Sequence, residues 1–314
     1  SDEQLEAERV AAFAAQQDEL LRVLSASADA EHLLVAALSS LHSDQEQAMT
    51  LLSDAAARDP RHPLIAAQLL TLCIEIDACS RARPEMERNL IAADKGNAIA
   101  WVEVARSRLQ RNDERGALAA LREAAAAAAV EDYFTDYIYL FDRGLAAASD
   151  LEPFDRMVAA IGWAAGNITT ASLVYRDCEQ RAANLPEWRD ACLRLGERFE
   201  NDSFTILTQT IGIGLQIAMY ELEGDGRAAE RAVQRREEFA ARWKQLASRT
   251  VRAEELRDAT VLRQYLETFA SAGEASPSAD SDKIGGKYSA HCTSSRGLTR
   301  IRFCGACPCA ASAV

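Results

Sequence analysis

Asp44, Ala48, Leu52, Ala55 and Ala56 return at one fixed offset, 69 positions along, as Asp113, Ala117, Leu121, Ala124 and Ala125. About half that offset, 35 positions, separates Asp59 from Asp94, and each of these begins a short polar turn that leads into an apolar stretch: Arg61-His62-Pro63-Leu64 after the first, Gly96-Asn97-Ala98-Ile99 after the second. A period in this range signals helical hairpins stacked side by side, because one helix pair cannot bury its apolar face alone. Alanines let paired helices approach, and the larger residues fill the space between one hairpin and the next.

Two sets of residues carry a family likeness. Trp101, Ala105, Ala117, Leu121 and Ala124 form one; Val35, Ala36, Ala48, Leu52, Ala55 and Pro60 form the other. Residues 29–131 therefore resemble tetratricopeptide repeats, with His32 where an aromatic is usual and a middle unit, about 63–97, that departs from the pattern. The resemblance implies an all-α fold, a right-handed α-solenoid of stacked hairpins whose groove binds a protein or peptide. The helical body is also similar to uncharacterised exported helical-repeat proteins of Gram-negative bacteria, which implies a periplasmic setting; a cytoplasmic one is the alternative.

Composition points the same way. Glycine (15) and proline (7) are sparse, and alanine, leucine, glutamate and arginine dominate up to about residue 272, which favours helix over strand. Residues 1–28 read as an amphipathic capping helix, 29–131 as the hairpins and 132–272 as further, degenerate hairpins, with helices expected near 133–148, 151–164, 168–183, 187–199, 203–223, 226–247 and 251–271. Ser43 with Glu46 makes a capping-box pattern, and Asn112 or Asp113 can cap the helix that carries Ala117. Residues 273–314 form a flexible Ser/Gly/Cys-rich tail, expected to be disordered or foreign to the natural chain.

Cysteines occur in two settings. Cys178 and Cys192 each lie seven positions from Leu185, beside the break at Pro186, so an antiparallel hairpin sets them face to face. Six residues of straight helix rise about 9 Å, too far for a disulfide, so Cys73 and Cys79 can pair only if their helix ends near Asp77. The alternative is that all four are small buried hydrophobes. Paired, they indicate an oxidising compartment. In the tail, His291, Cys292, Cys304, Cys307 and Cys309 supply enough ligands for a tetrahedral metal site, although the Cys-Pro-Cys spacing and the scarcity of apolar sequence favour extra disulfides or disorder.

A net charge of −13 argues against nucleic acid, whose phosphates demand a basic face, and the stretch 204–220 is too interrupted for membrane insertion. No phosphate loop, dinucleotide fingerprint, zinc-protease helix or nucleophile elbow occurs, so no catalytic residue and no cofactor is assigned. Tyr133, Tyr137 and Asp136, with Trp101, are the candidates for a ligand groove; the alternative is that the tyrosines are core. The expected function is non-catalytic binding of a protein or peptide, a basic segment being the natural complement of so acidic a chain. The competing reading is a metal-handling or enzymatic protein that uses the Cys-rich tail or scattered carboxylates.

Overall fold

A computed structural model describes residues 15–248, except 16, 42, 77, 78, 167–169 and 204. The expected helix at 251–271, the tail and its cysteines lie outside the described residues, as does most of the proposed capping segment. The described chain is all-α: α1 (17–25), α2 (Ala30–Ser40), α3 (Gln45–Arg58), α4 (Pro63–Glu75), α5 (Arg83–Asp94), α6 (Ala98–Leu109), α7 (Glu114–Ala126), α8 (Phe134–Ala148), α9 (Pro153–Gly166), α10 (Thr170–Ala182), α11 (Pro186–Asp202), α12 (Ile206–Glu223) and α13 (Gly226–Ser248). Among the described residues extended pairing is limited to two isolated bridges, Asn97 with Ala129 and Val130 with Ser203.

Short polar turns begin these helices for a definable reason. Each helix leaves unpaired backbone N–H groups at its start, and a short oxygen-bearing side chain satisfies one or two of them. Asp29 accepts from the amides of Glu31 and His32 (2.8 and 3.2 Å), Asp44 from Gln47 (2.9 Å), Asn97 from Ile99 (3.1 Å) and Asp113 from Gly116 (2.9 Å). The cap of α3 is thus Asp44 and not Ser43, whose hydroxyl donates backward to the carbonyl of Ser40 at 3.2 Å. Pro63, Pro153 and Pro186 open their helices, where a missing N–H costs nothing.

Successive helices fold back on each other across these turns, pairing α2 with α3, α4 with α5, α6 with α7 and α8 with α9. Ala48, Leu52 and Ala55 of α3 and the corresponding Ala117, Leu121 and Ala124 of α7 are fully buried, so the 69-residue offset matches positions of equal environment. Each buried leucine contributes about 1.5–3 kcal/mol. Glu87 joins α5 to the next pair: its carboxylate accepts from Ser107 Oγ (2.7 Å), Arg108 Nε (3.2 Å) and Arg111 Nη2 (2.6 Å).

Beyond α7 the order of packing departs from the order of the chain. The pair α6/α7 continues directly into α10 and α11, while α8 returns to α2. Gly144 makes that return possible, because a Cβ there would stand 2.9 Å from Val35 Cγ1 and 3.2 Å from Leu24 Cδ1. On its other side α8 carries α9, with Phe141 stacked on Trp163 at 5.4 Å between ring centroids. α11 and α12 approach closely as well: a Cβ on Gly212 would meet the amide nitrogen of Glu200 at 2.5 Å and the carbonyl oxygen of Gly196 at 2.6 Å.

Both body cysteine pairs stand at disulfide-bonding distance: Cys73 and Cys79 with Cα atoms 5.5 Å apart, Cys178 and Cys192 with 5.9 Å. The first closes because α4 ends at Glu75, the second because α10 and α11 flank the turn at Leu185. Among the described residues no helix is long and apolar enough to cross a membrane.

Candidate acidic surface at the seat of α8

α8 is tied to earlier helices in the reverse of chain order: at the end of α5 and the cap of α6, then at α4, then at α2. Near its C-terminal end Arg143 Nε donates to Glu31 of α2 at 2.9 Å. Toward its N-terminal end, Tyr137 accepts on its hydroxyl from the Gln68 side-chain amide of α4. At its entrance the Tyr133 hydroxyl donates to Asp94, the last residue of α5, and Asn97 holds the backbone of Glu131 through both its N–H (3.0 Å) and its carbonyl (2.9 Å). Tyr133 sits at φ +62°, a left-handed conformation that costs a β-carbon residue on the order of 1–2 kcal/mol, and its anchored ring and neighbouring Asn97 hold it there.

Tyr133 and Tyr137, expected to face a ligand groove, are 7% and 2% exposed and fill the space above α4 and α6 with the chain's own side chains. Burial, and for Tyr133 the adjoining Asp94 carboxylate, raises both phenols far above their ordinary range, so they stay protonated donors or acceptors. Trp101 is half-buried, its Nε1 donating to the carbonyl of Lys95 at 2.9 Å.

Asp136, by contrast, reaches solvent, and it does so within a group of like charges. Asp94, Glu131, Asp132 and Asp136 converge where α8 begins, drawn from the end of α5 and from the segment leading into α8. Asp132 is satisfied within the protein: Oδ2 accepts from the hydroxyls of Thr205 and Thr208 (2.7 Å for the latter), and Oδ1 accepts from the amide of Phe134 at 3.3 Å. Glu131 is raised above its ordinary value first by partial burial and then by Asp94, Asp136 and Asp132. Asp136 is raised by burial, with Asp94 and Asp132 adding to the effect and His62 and Arg143 opposing it.

The basic side chains nearby are engaged elsewhere. Arg143 is committed to Glu31, and His62 lies 3.7 Å from the same carboxylate with its Nδ1 buried and unbonded. The sequence pointed to Asp136 but marked Asp94 only as punctuation of the repeat. The available signal was the spacing of 34 between Asn97 and Glu131, one repeat length. His32 is separate, paired with Ser27 at 2.9 Å. Among the described residues no group of three or more histidine, cysteine, aspartate or glutamate side chains is arranged to hold a metal, and the tail ligands from His291 to Cys309 lie outside them. Compared with family models, curated proteins and solved structures, the chain matches none.

Proposed function

We propose that this chain is a non-catalytic helical-repeat scaffold of the bacterial envelope, a right-handed α-solenoid of tetratricopeptide-like hairpins, and that it binds a basic segment of a protein or peptide partner. The observation that carries the proposal is the cluster of Asp94, Glu131, Asp132 and Asp136, in which Glu131 and Asp136 are raised by burial and by the neighbouring Asp94 and Asp132. A lysine or arginine set between them would relieve repulsion already present in the free protein, which is how a charged surface selects and steers a partner. The chain's own α8 occupies the space over α4 and α6, which favours the rim around the entrance of α8 as the docking surface. The two cysteine pairs at bonding distance favour an oxidising, exported setting.

The test is binding of a lysine- and arginine-rich peptide to the full chain and to a variant carrying Asp94→Asn, Glu131→Gln and Asp136→Asn. The variant is expected to bind at least about tenfold more weakly and with a shallower dependence on salt. Equal affinity for both proteins, or affinity indifferent to salt, would overturn the proposal. Proximity labelling in the native compartment then identifies the partner, which should present a basic stretch.

A further inference from the structure

The two cysteine pairs differ in surroundings. Cys178 and Cys192 are both fully buried between α10 and α11. Cys73 is fully buried as well, but Cys79 is only half-buried and stands in the turn between α4 and α5. Beside this second pair lies a buried cation. Arg83, 4% exposed, donates from Nε to the carbonyl of Cys73 itself at 2.9 Å and from Nη2 to the carbonyl of Ile74 at 3.3 Å. Among the described residues none of its partners is a carboxylate.

A guanidinium taken out of water and held, among the described residues, by carbonyl groups alone is costly, because carbonyl dipoles offset its desolvation only in part. An anion formed next to it is correspondingly favoured. Opening the Cys73–Cys79 bond would form one, because a thiolate at Cys73 would arise on the residue whose carbonyl Arg83 already holds. The last turn of α4 is the negative end of its helix and would by itself disfavour a thiolate; Arg83 reverses that sign locally. Beside the pair on α10 and α11 the corresponding cation, Arg181, is already paired with carboxylates, Asp177 at 3.0 Å and Glu114 at 3.7 Å.

We infer that Cys73–Cys79 is a thiol–disulfide exchange site, with Cys79 Sγ the sulfur attacked and Arg83 the residue that stabilises the departing Cys73 thiolate, whereas Cys178–Cys192 is a structural crosslink. The ligand is a thiolate from a small monothiol or from a dithiol. Its sulfur bonds to Cys79 Sγ as the Cys73–Cys79 bond breaks, and the electron pair leaves on Cys73 as a thiolate facing Arg83. With a monothiol the product is a mixed disulfide at Cys79. With a dithiol the second thiolate attacks that mixed disulfide, Cys79 leaves as a thiolate and takes a proton, and the dithiol is oxidised as the protein disulfide is reduced. The inference is independent of what the acidic rim binds.

The experiment titrates the folded full chain with graded mixtures of reduced and oxidised glutathione, and in parallel with dithiothreitol, then alkylates free thiols and maps them by peptide mass. Cys73 and Cys79 are expected to open at a milder reducing poise than Cys178 and Cys192 while helix content is retained. Glutathione should be found on Cys79, and Cys73 should be the alkylated partner. Arg83→Gln should shift the opening of Cys73–Cys79 by at least about tenfold toward more reducing mixtures, and Arg83→Lys should restore most of it. If the two pairs open together, if Cys178–Cys192 opens first, or if glutathione resides on Cys73, the inference fails. Where Arg83→Gln does not fold, Arg83→Lys tests the role of the guanidinium, and the wild-type comparison tests the order of opening and the sulfur attacked.

Discussion

At the scale of single residues, charge and van der Waals contact each yield an expected outcome. Glu131 and Asp136 titrate higher in the folded chain than in the unfolded one, so between the ordinary and the raised values the folded state holds more protons. These groups therefore favour folding increasingly as pH falls from neutral through their raised values, and the gain ends below the ordinary carboxylate range. The variant Glu131→Gln/Asp136→Asn should be more stable than the parent at pH 7, with the difference closing by about pH 4 in urea unfolding. Gly212→Ala should cost roughly 2–3 kcal/mol by the same measurement, because its Cβ would meet backbone atoms of α11 that have no side-chain freedom to yield. Asp136 could be named from the sequence because its helix was recognisable, but its environment could not. Asp94 stands about 40 positions earlier, and only the packed structure brings the two charges together.

At the scale of elements the sequence was largely readable. Helices expected near 133–148, 187–199, 203–223 and 226–247 occur as α8, α11, α12 and α13 with ends displaced by a few residues, because capping residues and prolines fix them locally. The turn at Leu185 and the end of α4 were legible for the same reason, and the cysteine pairs followed from them. The course of α8 was not readable. Its anchors are Gln68, Asp94 and Glu31, none of them near it in sequence, and periodicity within a helix says which face is apolar without saying what covers it. Tyr137→Phe should leave the buried Gln68 amide without its acceptor and cost about 1–2 kcal/mol. Faster hydrogen exchange confined to α8 and α4 would locate the loss; exchange unchanged in α8 would show that the pair does not hold it.

At the scale of the whole molecule, the described residues form one hydrophobic core from Leu20 of α1 to Met219 of α12, with a small separate cluster of Ile213, Ile217 and Ala232 joining α13 to α12. Such a core makes the Cys178–Cys192 crosslink a constraint mainly on the unfolded chain, where it closes a loop of 14 positions. Replacing both cysteines by alanine should lower stability by about 3 kcal/mol in chemical unfolding while leaving helix content unchanged. A drop in helicity instead would mean that the crosslink shapes the native state.

The seat of α8 also sets an order of events in time. Helix pairs such as α2/α3 and α6/α7 are built from contacts close in sequence and can form quickly, whereas the Arg143–Glu31 contact spans 112 positions and needs its supporting helices in place first. Docking of α8 is therefore expected to be the slow event in refolding. Far-ultraviolet ellipticity should recover before the amides of α8 gain protection in pulsed hydrogen exchange, and a chain emerging from its N-terminus during synthesis would complete its first three helix pairs before α8 arrives.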